Sequence, residues 1–166
     1  MRFTYLSDHP HFIPRLADWH HAEWGAHIAG WSREAAEAEL HMHVGHCQVP
    51  TTLLALDGDD LLGSVSLLQN DHDDIRDYSP WLASLFVAPG QRGRGIGSAL
   101  VHRLVAEAAH LAIPVLYLYT VDTQSLYSAL GWRIVDEVEF HGWKATVMAI
   151  NPAEALAAQD DGQAPA

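Results

Sequence analysis

The segment Arg92-Gly93-Arg94-Gly95-Ile96-Gly97-Ser98, entered from an apolar run ending at Val87, holds residues whose types and spacing suit one task, the gripping of a diphosphate. An apolar strand, a glycine-rich turn and an amphipathic helix in that order present unbonded main-chain N–H groups at a helix N-terminus, where the helix dipole adds partial positive charge. Such a terminus is a ready seat for an anion. Glycines at 93, 95 and 97 remove side chains that would hold phosphates off the backbone. Arg92 and Arg94 bring charge from outside the cradle.

Spacing excludes two other phosphate loops. A nucleotide P-loop needs a Lys-Ser/Thr pair after its last glycine, whereas Gly97 is followed by Ser98-Ala99. A dinucleotide-binding turn needs Gly-x-Gly-x-x-Gly early in a βαβ unit. Here the order is Gly93-x-Gly95-x-Gly97, and no second unit carries a ribose-binding acid.

The elements around this loop follow from pattern. Residues 2–6 read as a strand, broken by Asp8-His9-Pro10. Residues 11–28 carry helical spacing through Phe12, Leu16, Trp19 and Ala22, with Pro14 tolerable only near the first turn. Ser32 is an N-cap for a second helix running to Val44, with Gly45 as its stop. Residues 51–56 and 61–68 are strands joined by the turn Asp57-Gly58-Asp59-Asp60. An acidic loop over 70–78 precedes the nearly continuous apolar run 81–87, the mark of a central strand. The helix after Gly95 repeats Ile96, Leu100, Leu104, Ala108 and Leu111, and Pro114 ends it. A strand over 115–119, a short helix over 124–130 stopped by Gly131, and a hairpin of 132–140 with 143–150 complete the fold. Residues 1–151 thus form one domain, and the Ala-, Gln- and Asp-rich tail 152–166 is expected to be disordered.

Composition narrows the partners. A chain of 166 residues, 49% hydrophobic and 18% charged, suits one globular domain with a sizeable core. The formal charge of −12, from 21 acidic against 9 basic residues, disfavours nucleic acid and anionic membranes. Two of the nine basic residues nonetheless sit in the glycine loop, which favours an anion there and cations elsewhere. No apolar run reaches membrane-spanning length, and Met1-Arg2-Phe3-Thr4-Tyr5 reads as a strand rather than a signal peptide. The single Cys47 leaves no internal disulfide framework and fits a cytoplasmic location. In the cluster His41-Met42-His43-Val44-Gly45-His46-Cys47, His41 and His43 lie two apart on a helix and face different ways, so no metal site is expected.

The pattern Arg92-x-x-Gly95-x-Gly97 after a strand ending in Val87 resembles the acetyl-CoA pyrophosphate loop of the GNAT N-acetyltransferase superfamily. The element order β-α-α-β-β-β-α-β-α-β-β is that family's layout over residues 2–151. The resemblance implies an α/β (α+β) fold: a mixed, mostly antiparallel sheet of six to seven strands, flanked by helices, with a splayed central parallel pair. Those two strands would be 81–87 and 115–119. Acetyl-CoA, as co-substrate, would lie in the gap against Leu85, Phe86 and Val87, with its diphosphate on Arg92, Gly93, Arg94, Gly95, Ile96, Gly97 and Ser98. The N–H of Val87 is a candidate oxyanion donor. Tyr127, in Ser125-Leu126-Tyr127-Ser128-Ala129-Leu130-Gly131-Trp132, resembles the family tyrosine that protonates the leaving thiolate. Many relatives have asparagine where this chain has Thr120 and alanine where it has Thr123, and Thr120 offers one hydrogen bond to the cofactor.

The activity implied is direct transfer of acetyl from acetyl-CoA to an amine. Glu23, Trp24, His27, Asp74 and Trp143 are the candidate acceptor-binding residues, since carboxylates with aromatics suit a small cationic amine. Trp31 reads as core or as a homodimer contact. Asp71, Asp73, Asp74, Asp77, Glu23 and His72 all lie within the candidate region, and sequence alone selects no general base among them. Two alternatives remain at this level: a protein N-terminal or lysine acetyltransferase, and a non-catalytic acyl-CoA-binding module.

Overall fold

The computed structural model describes residues 1–140 and 142–162. Among the described residues, seven strands form one sheet in the order β1-β2-β3-β4-β5-β7-β6. They are β1 (Arg2–Tyr5), β2 (Thr51–Asp57), β3 (Asp60–Leu68), β4 (Trp81–Val87), β5 (Leu116–Thr120), β6 (Arg133–Phe140) and β7 (Trp143–Ile150). Every neighbouring pair is antiparallel except β4 with β5. The helices are α1 (Ile13–Trp24), α2 (Arg33–Met42), α3 (Ile96–His110), α4 (Gln124–Ala129) and α5 (Pro152–Gly162).

Period-two alternation assigns each strand two faces. Leu53, Ala55, Val65, Leu67, Leu116, Leu118, Met148 and Ile150 meet Leu100, Leu104 and Val105 of α3 in the main core. Leu54 and Leu56 from the opposite face meet Leu6, Ile13, Leu16 and Leu40 under α1 and α2. A third cluster, Ile75, Trp81 and Val147 with Tyr78, Tyr117 and Tyr119, lies on the α1 and α2 side of the central strands.

Several strands and the short helix shift by one residue from the expectations, and the larger departures lie in the first two helices and the tail. The first helix begins after a 3-10 turn over Pro10–Phe12 and stops at Trp24, with Gly25, a residue that favours helix ends, as its C-cap. The second starts on Ser32 as expected, its hydroxyl accepting from Ala35 N–H at 3.0 Å. It ends at Met42, however, with His43 as C-cap, and Val44 bridges to Thr51 instead. Gly45 closes the following loop onto the Pro50 carbonyl at 3.1 Å. Of the tail expected to be disordered over 152–166, Pro152–Gly162 is helical, with Ala155 against the main core, and 163–166 lie outside the described residues. Asn151 caps that helix, accepting from Ala153 and Glu154 at 3.1 and 3.3 Å, and proline suits the first helical position.

One irregularity positions the site. On β4, Ser84 and Leu85 together oppose Val65 of β3, between the pairs Ser66↔Ala83 and Ser64↔Phe86. Ser84 takes φ +52, so this is a bulge that bends and twists the central strand. Gly63 permits it, since a Cβ there would meet the Phe86 carbonyl oxygen at 2.4 Å. Gly63→Ala is therefore expected to cost about 1–3 kcal/mol, the scale of core overpacking, read as a lower urea midpoint at unchanged slope.

Candidate active site

Strand β4 leaves the sheet through a 3-10 turn over Pro89–Gln91 and enters the glycine loop. Gly93 and Gly95 both lie at φ +76, and Gly95 is the N-cap of α3. The first bond of that helix runs from Ala99 N–H to the Gly95 carbonyl at 3.0 Å. The amides of Ile96, Gly97 and Ser98 consequently point out of the helix N-terminus. A Cβ on Gly93 or Gly95 would meet nothing within 4 Å, and one on Gly97 only Val87 Cγ2 at 3.7 Å. The space over these amides is open, and side chains would fill it. It fits the diphosphate of a CoA thioester on charge and on shape.

Beside this cradle the sheet parts. The only β4–β5 register pair among the described residues is Trp81↔Tyr117, backed by Tyr117 N–H on the Pro80 carbonyl at 3.0 Å. Ala88 N–H bonds the Leu62 carbonyl at 2.9 Å, so Phe86 and Ala88 make the ladder bonds to β3. Val87, between them, directs its N–H and C=O toward β5, where the strands have separated. Leu85 and Val87 are half-buried although they belong to a central strand. Both pack on the main core, the cluster that also contains buried Tyr127.

The expected cofactor residues divide into two groups. Val87, Gly93, Gly95, Ile96, Gly97 and Ser98 line the parted strands and the cradle. Arg92 instead folds back: its Nε donates to the Val87 carbonyl at 2.9 Å, its Nη2 pairs with Glu23 at 3.2 Å, and its guanidinium lies 5.5 Å from the Phe86 ring. Arg94 bonds Gln91 Oε1. Phe86 turns its ring to the other face, stacked on Trp19 at 5.3 Å with Trp24 edge-on at 6.2 Å. The Thr120 hydroxyl is bonded locally, accepting from Thr123 N–H at 3.1 Å and sharing a 2.6 Å bond with the Thr123 hydroxyl.

Tyr127 sits on α4, which is capped by Leu130, and Gly131 at φ +89 then turns the chain so that Trp132 N–H returns to the Tyr127 carbonyl at 3.0 Å. Gln124 ties the same helix to β7 through Thr146 Oγ1 at 3.0 Å. Burial pushes the Tyr127 phenol above its ordinary value. A phenol so held stays protonated throughout the neutral range.

The candidate acceptor residues fall into separate contacts rather than one cluster. Glu23 reaches Arg92, Trp24 reaches Phe86, and the His27 ring stands edge-on to Trp143 at 5.3 Å, which joins the end of the first helical region to the last hairpin. Asp74 belongs to a cleft of about 420 Å³ lined by Asp71, His72, Asp73 and Asp74. A second cleft of about 330 Å³ runs along Val121, Gln124, Glu137, Glu139, Lys144 and Thr146. Trp31 is tied into α2, donating to Glu39 Oε1 at 2.9 Å.

Asp71 takes a bond from Tyr119 on β5 and is pushed up to about 6, chiefly by burial and further by the charge of Glu39. Part of the residue reaches the surface, while its carboxyl lies among protein atoms. Sequence placed it on the acidic loop, but nothing in the pattern 70–78 marked which of its four aspartates turns inward. Ser84 carried no signal either, because a left-handed conformation in mid-strand is rarely met outside glycine. Among the described residues no three His, Cys, Asp or Glu side chains are placed to share a metal ion, and no helix is long and apolar enough to cross a membrane.

Beneath α1, His20 is buried and bonded to Ser64 Oγ at 3.2 Å, and burial lowers both His20 and His43 to about 4. Both imidazoles are neutral in the fold and regain an ordinary affinity near 6.5 on unfolding. The unfolded chain therefore binds more protons between these values, and the contribution of these histidines to stability falls as pH drops through that window. Thermal unfolding at pH 7.5 and pH 5 is expected to show a smaller acid-induced drop in Tm for His20→Gln than for the parent chain.

Comparison with known proteins agrees with this geometry. The sequence model of the acetyltransferase (GNAT) family matches residues 14–132. A search of curated proteins by sequence returns no match. Among solved structures, an aminoglycoside 6'-acetyltransferase type Ii superposes with a TM-score of 0.72 at 22% identity, over 92% of this chain and 97% of that one. A ribosomal-protein-alanine N-acetyltransferase from Brucella melitensis gives 0.70 at 18% identity, over 91% and 99%. A putative acetyltransferase from Salmonella typhimurium, determined with its cofactor acetyl-CoA, gives 0.68 at 17% identity, over 91% and 93%. These likenesses are of fold. With the family match extending over most of the chain, from α1 through the glycine loop to Trp132, the protein belongs to the GNAT acetyltransferase family.

Proposed function

We propose that this protein is an N-acetyltransferase that moves an acetyl group from acetyl-CoA to the primary amine of a small cationic acceptor. The observation that supports this most is the junction of open, outward-pointing amides over 93–98 with a central strand pair that separates after Trp81↔Tyr117. A diphosphate and an amide-containing arm would satisfy both sets of main-chain groups at once. When bound, acetyl-CoA supplies the activated acyl carbon. The chain's own residues supply the rest. The Val87 N–H, aimed into the gap, would steady the developing oxyanion, and Tyr127, kept protonated by burial, would give its proton to the departing thiolate. No covalent enzyme intermediate is needed, since Cys47 lies at the far edge of the sheet beside Tyr5 of β1.

A cationic acceptor follows from the face it would approach. Glu23 at the end of α1 and Asp71 and Asp74 at the acidic-loop cleft supply negative charge, and Trp24, Trp143 and His27 supply rings on the α1 side. Carboxylates and aromatic rings together favour an ammonium. The single cysteine of the chain suits a cytoplasmic setting. Release of CoA thiol from acetyl-CoA, screened across polyamines, aminoglycosides, amino acids and peptides, tests this reading. Turnover confined to compact polycations is expected. Turnover confined to peptides would move the acceptor class to protein N-termini or lysines, and saturable acetyl-CoA binding without release by any amine would make this a sensor rather than an enzyme.

A further inference from the structure

Resting on that acetyl-transfer reading, we infer that Asp71 is the general base that takes the proton from the acceptor ammonium, held in place by the Tyr119 hydroxyl. The argument begins with approach. The cradle and Tyr127 belong to the α3 face of the sheet, so an amine reaching the same gap from outside comes from the α1 and α2 face. On that face the gap opens beyond Trp81 and Tyr117, and the next residue outward on β5 is Tyr119, its ring 6.0 Å from that of Trp81. Among the described residues the buried Trp81 Nε1 has no hydrogen-bond partner. Asp71 is bonded to Tyr119 and so stands at this lip.

The other carboxylates nearby are engaged elsewhere. Glu23 pairs with Arg92 at 3.2 Å, Asp73 with Arg76 at 2.5 Å, Glu39 accepts from Trp31, and Asp136 accepts from Tyr78 at 2.6 Å. Asp74 is exposed and lies 3.8 Å from His72. Among the described residues, Asp71 is the carboxylate that combines an inward position with a bond to a gap strand. The charged and titratable groups facing it are Tyr119 from β5, Glu39 from α2, and His72, Asp73 and Asp74 along its own loop. Its proton affinity, raised by burial and by Glu39 to about 6, leaves it ionised yet basic at neutral pH.

The protons balance. The Asp71 carboxylate takes one proton from R–NH3+ and leaves R–NH2, whose lone pair forms the N–C bond to the thioester carbonyl. As the C–S bond breaks, the sulfur takes the Tyr127 proton, and the Tyr127 phenolate recovers one from the nitrogen that becomes the amide. Asp71 then releases its proton to solvent. One proton is released per turnover.

The test compares the parent chain, Asp71→Asn and Tyr119→Phe, using whichever amine of the screen above supports CoA release, with kcat/KM followed from pH 5 to 9.5. The parent is expected to lose about tenfold per pH unit below pH ~6. Asp71→Asn should fall ~10²–10⁴-fold at pH 7.5. Its residual rate should climb with pH as the free amine accumulates, while KM for acetyl-CoA and Tm at pH 7.5 hold or improve. Tyr119→Phe should displace the acid limb with a smaller loss, which a merely structural tyrosine would not do. A parent-like profile in Asp71→Asn, or a loss in proportion to a lower Tm, overturns the assignment. If no amine supports release from the parent chain, the transferase reading itself fails and this assignment goes with it.

Discussion

Gly95→Val is expected to lose at least ~100-fold in acetyl-CoA affinity, about 2.7 kcal/mol, while the protein remains folded. Gly95 caps α3 at φ +76, a region that β-branched residues occupy only at a cost of ~1–3 kcal/mol. The new side chain would also stand in the open space over the amides of Ile96, Gly97 and Ser98, where the diphosphate is proposed to rest. Gly58→Ala provides the contrast. Gly58 also has positive φ, +59, but it turns the hairpin between β2 and β3. It should lower stability and leave affinity alone. Isothermal titration with acetyl-CoA separates the two, and a Gly95→Val constant within threefold of the parent value contradicts the cradle.

Tyr127→Phe is expected to reduce kcat by ~10²–10⁴, the usual range for one acid catalyst, with the acetyl-CoA dissociation constant unchanged. The separation follows from position. Tyr127 is buried among apolar neighbours, its ring 6.2 Å from Trp132 and edge-on to it, so phenylalanine keeps the packing and removes only the proton. A loss of kcat matched by a loss of stability would mark Tyr127 as a packing residue. Undiminished turnover would remove it from the mechanism.

What could be read from the sequence was what local chemistry dictates. The strand Trp81–Val87, the cap at Ser32 and the turn around Gly58 each have a nearest-neighbour cause, and the structure places them where composition and spacing put them. The glycine loop was legible for the same reason, because glycine is the residue that most readily serves at two left-handed positions, 93 and 95, beside a helix start. Asn151-Pro152 also carried a local message, a cap followed by a first-turn proline, which the alanine- and glutamine-rich composition of 152–166 obscured.

Tertiary arrangement was less accessible. That Arg92 turns back to Glu23, 69 residues earlier in the chain, depends on α1 crossing the end of β4. That Asp71 rather than Asp73 or Asp77 faces Tyr119 depends on the course of one loop, and four nearby aspartates are indistinguishable by type. The bulge at Ser84 arises from the close approach of Gly63 on the neighbouring strand, a contact that no pattern within β4 encodes.

The central claim is that main-chain amides hold the diphosphate beside the separated strands. The most direct measurement is an amide ¹H–¹⁵N spectrum of the full chain titrated with CoA. The amides of Gly93, Gly95, Ile96, Gly97, Ser98 and Val87 should shift together and saturably, with those around Gly58 and Ser32 still. Saturating CoA that leaves the first six resonances in place, or that moves only residues of another surface, would contradict it.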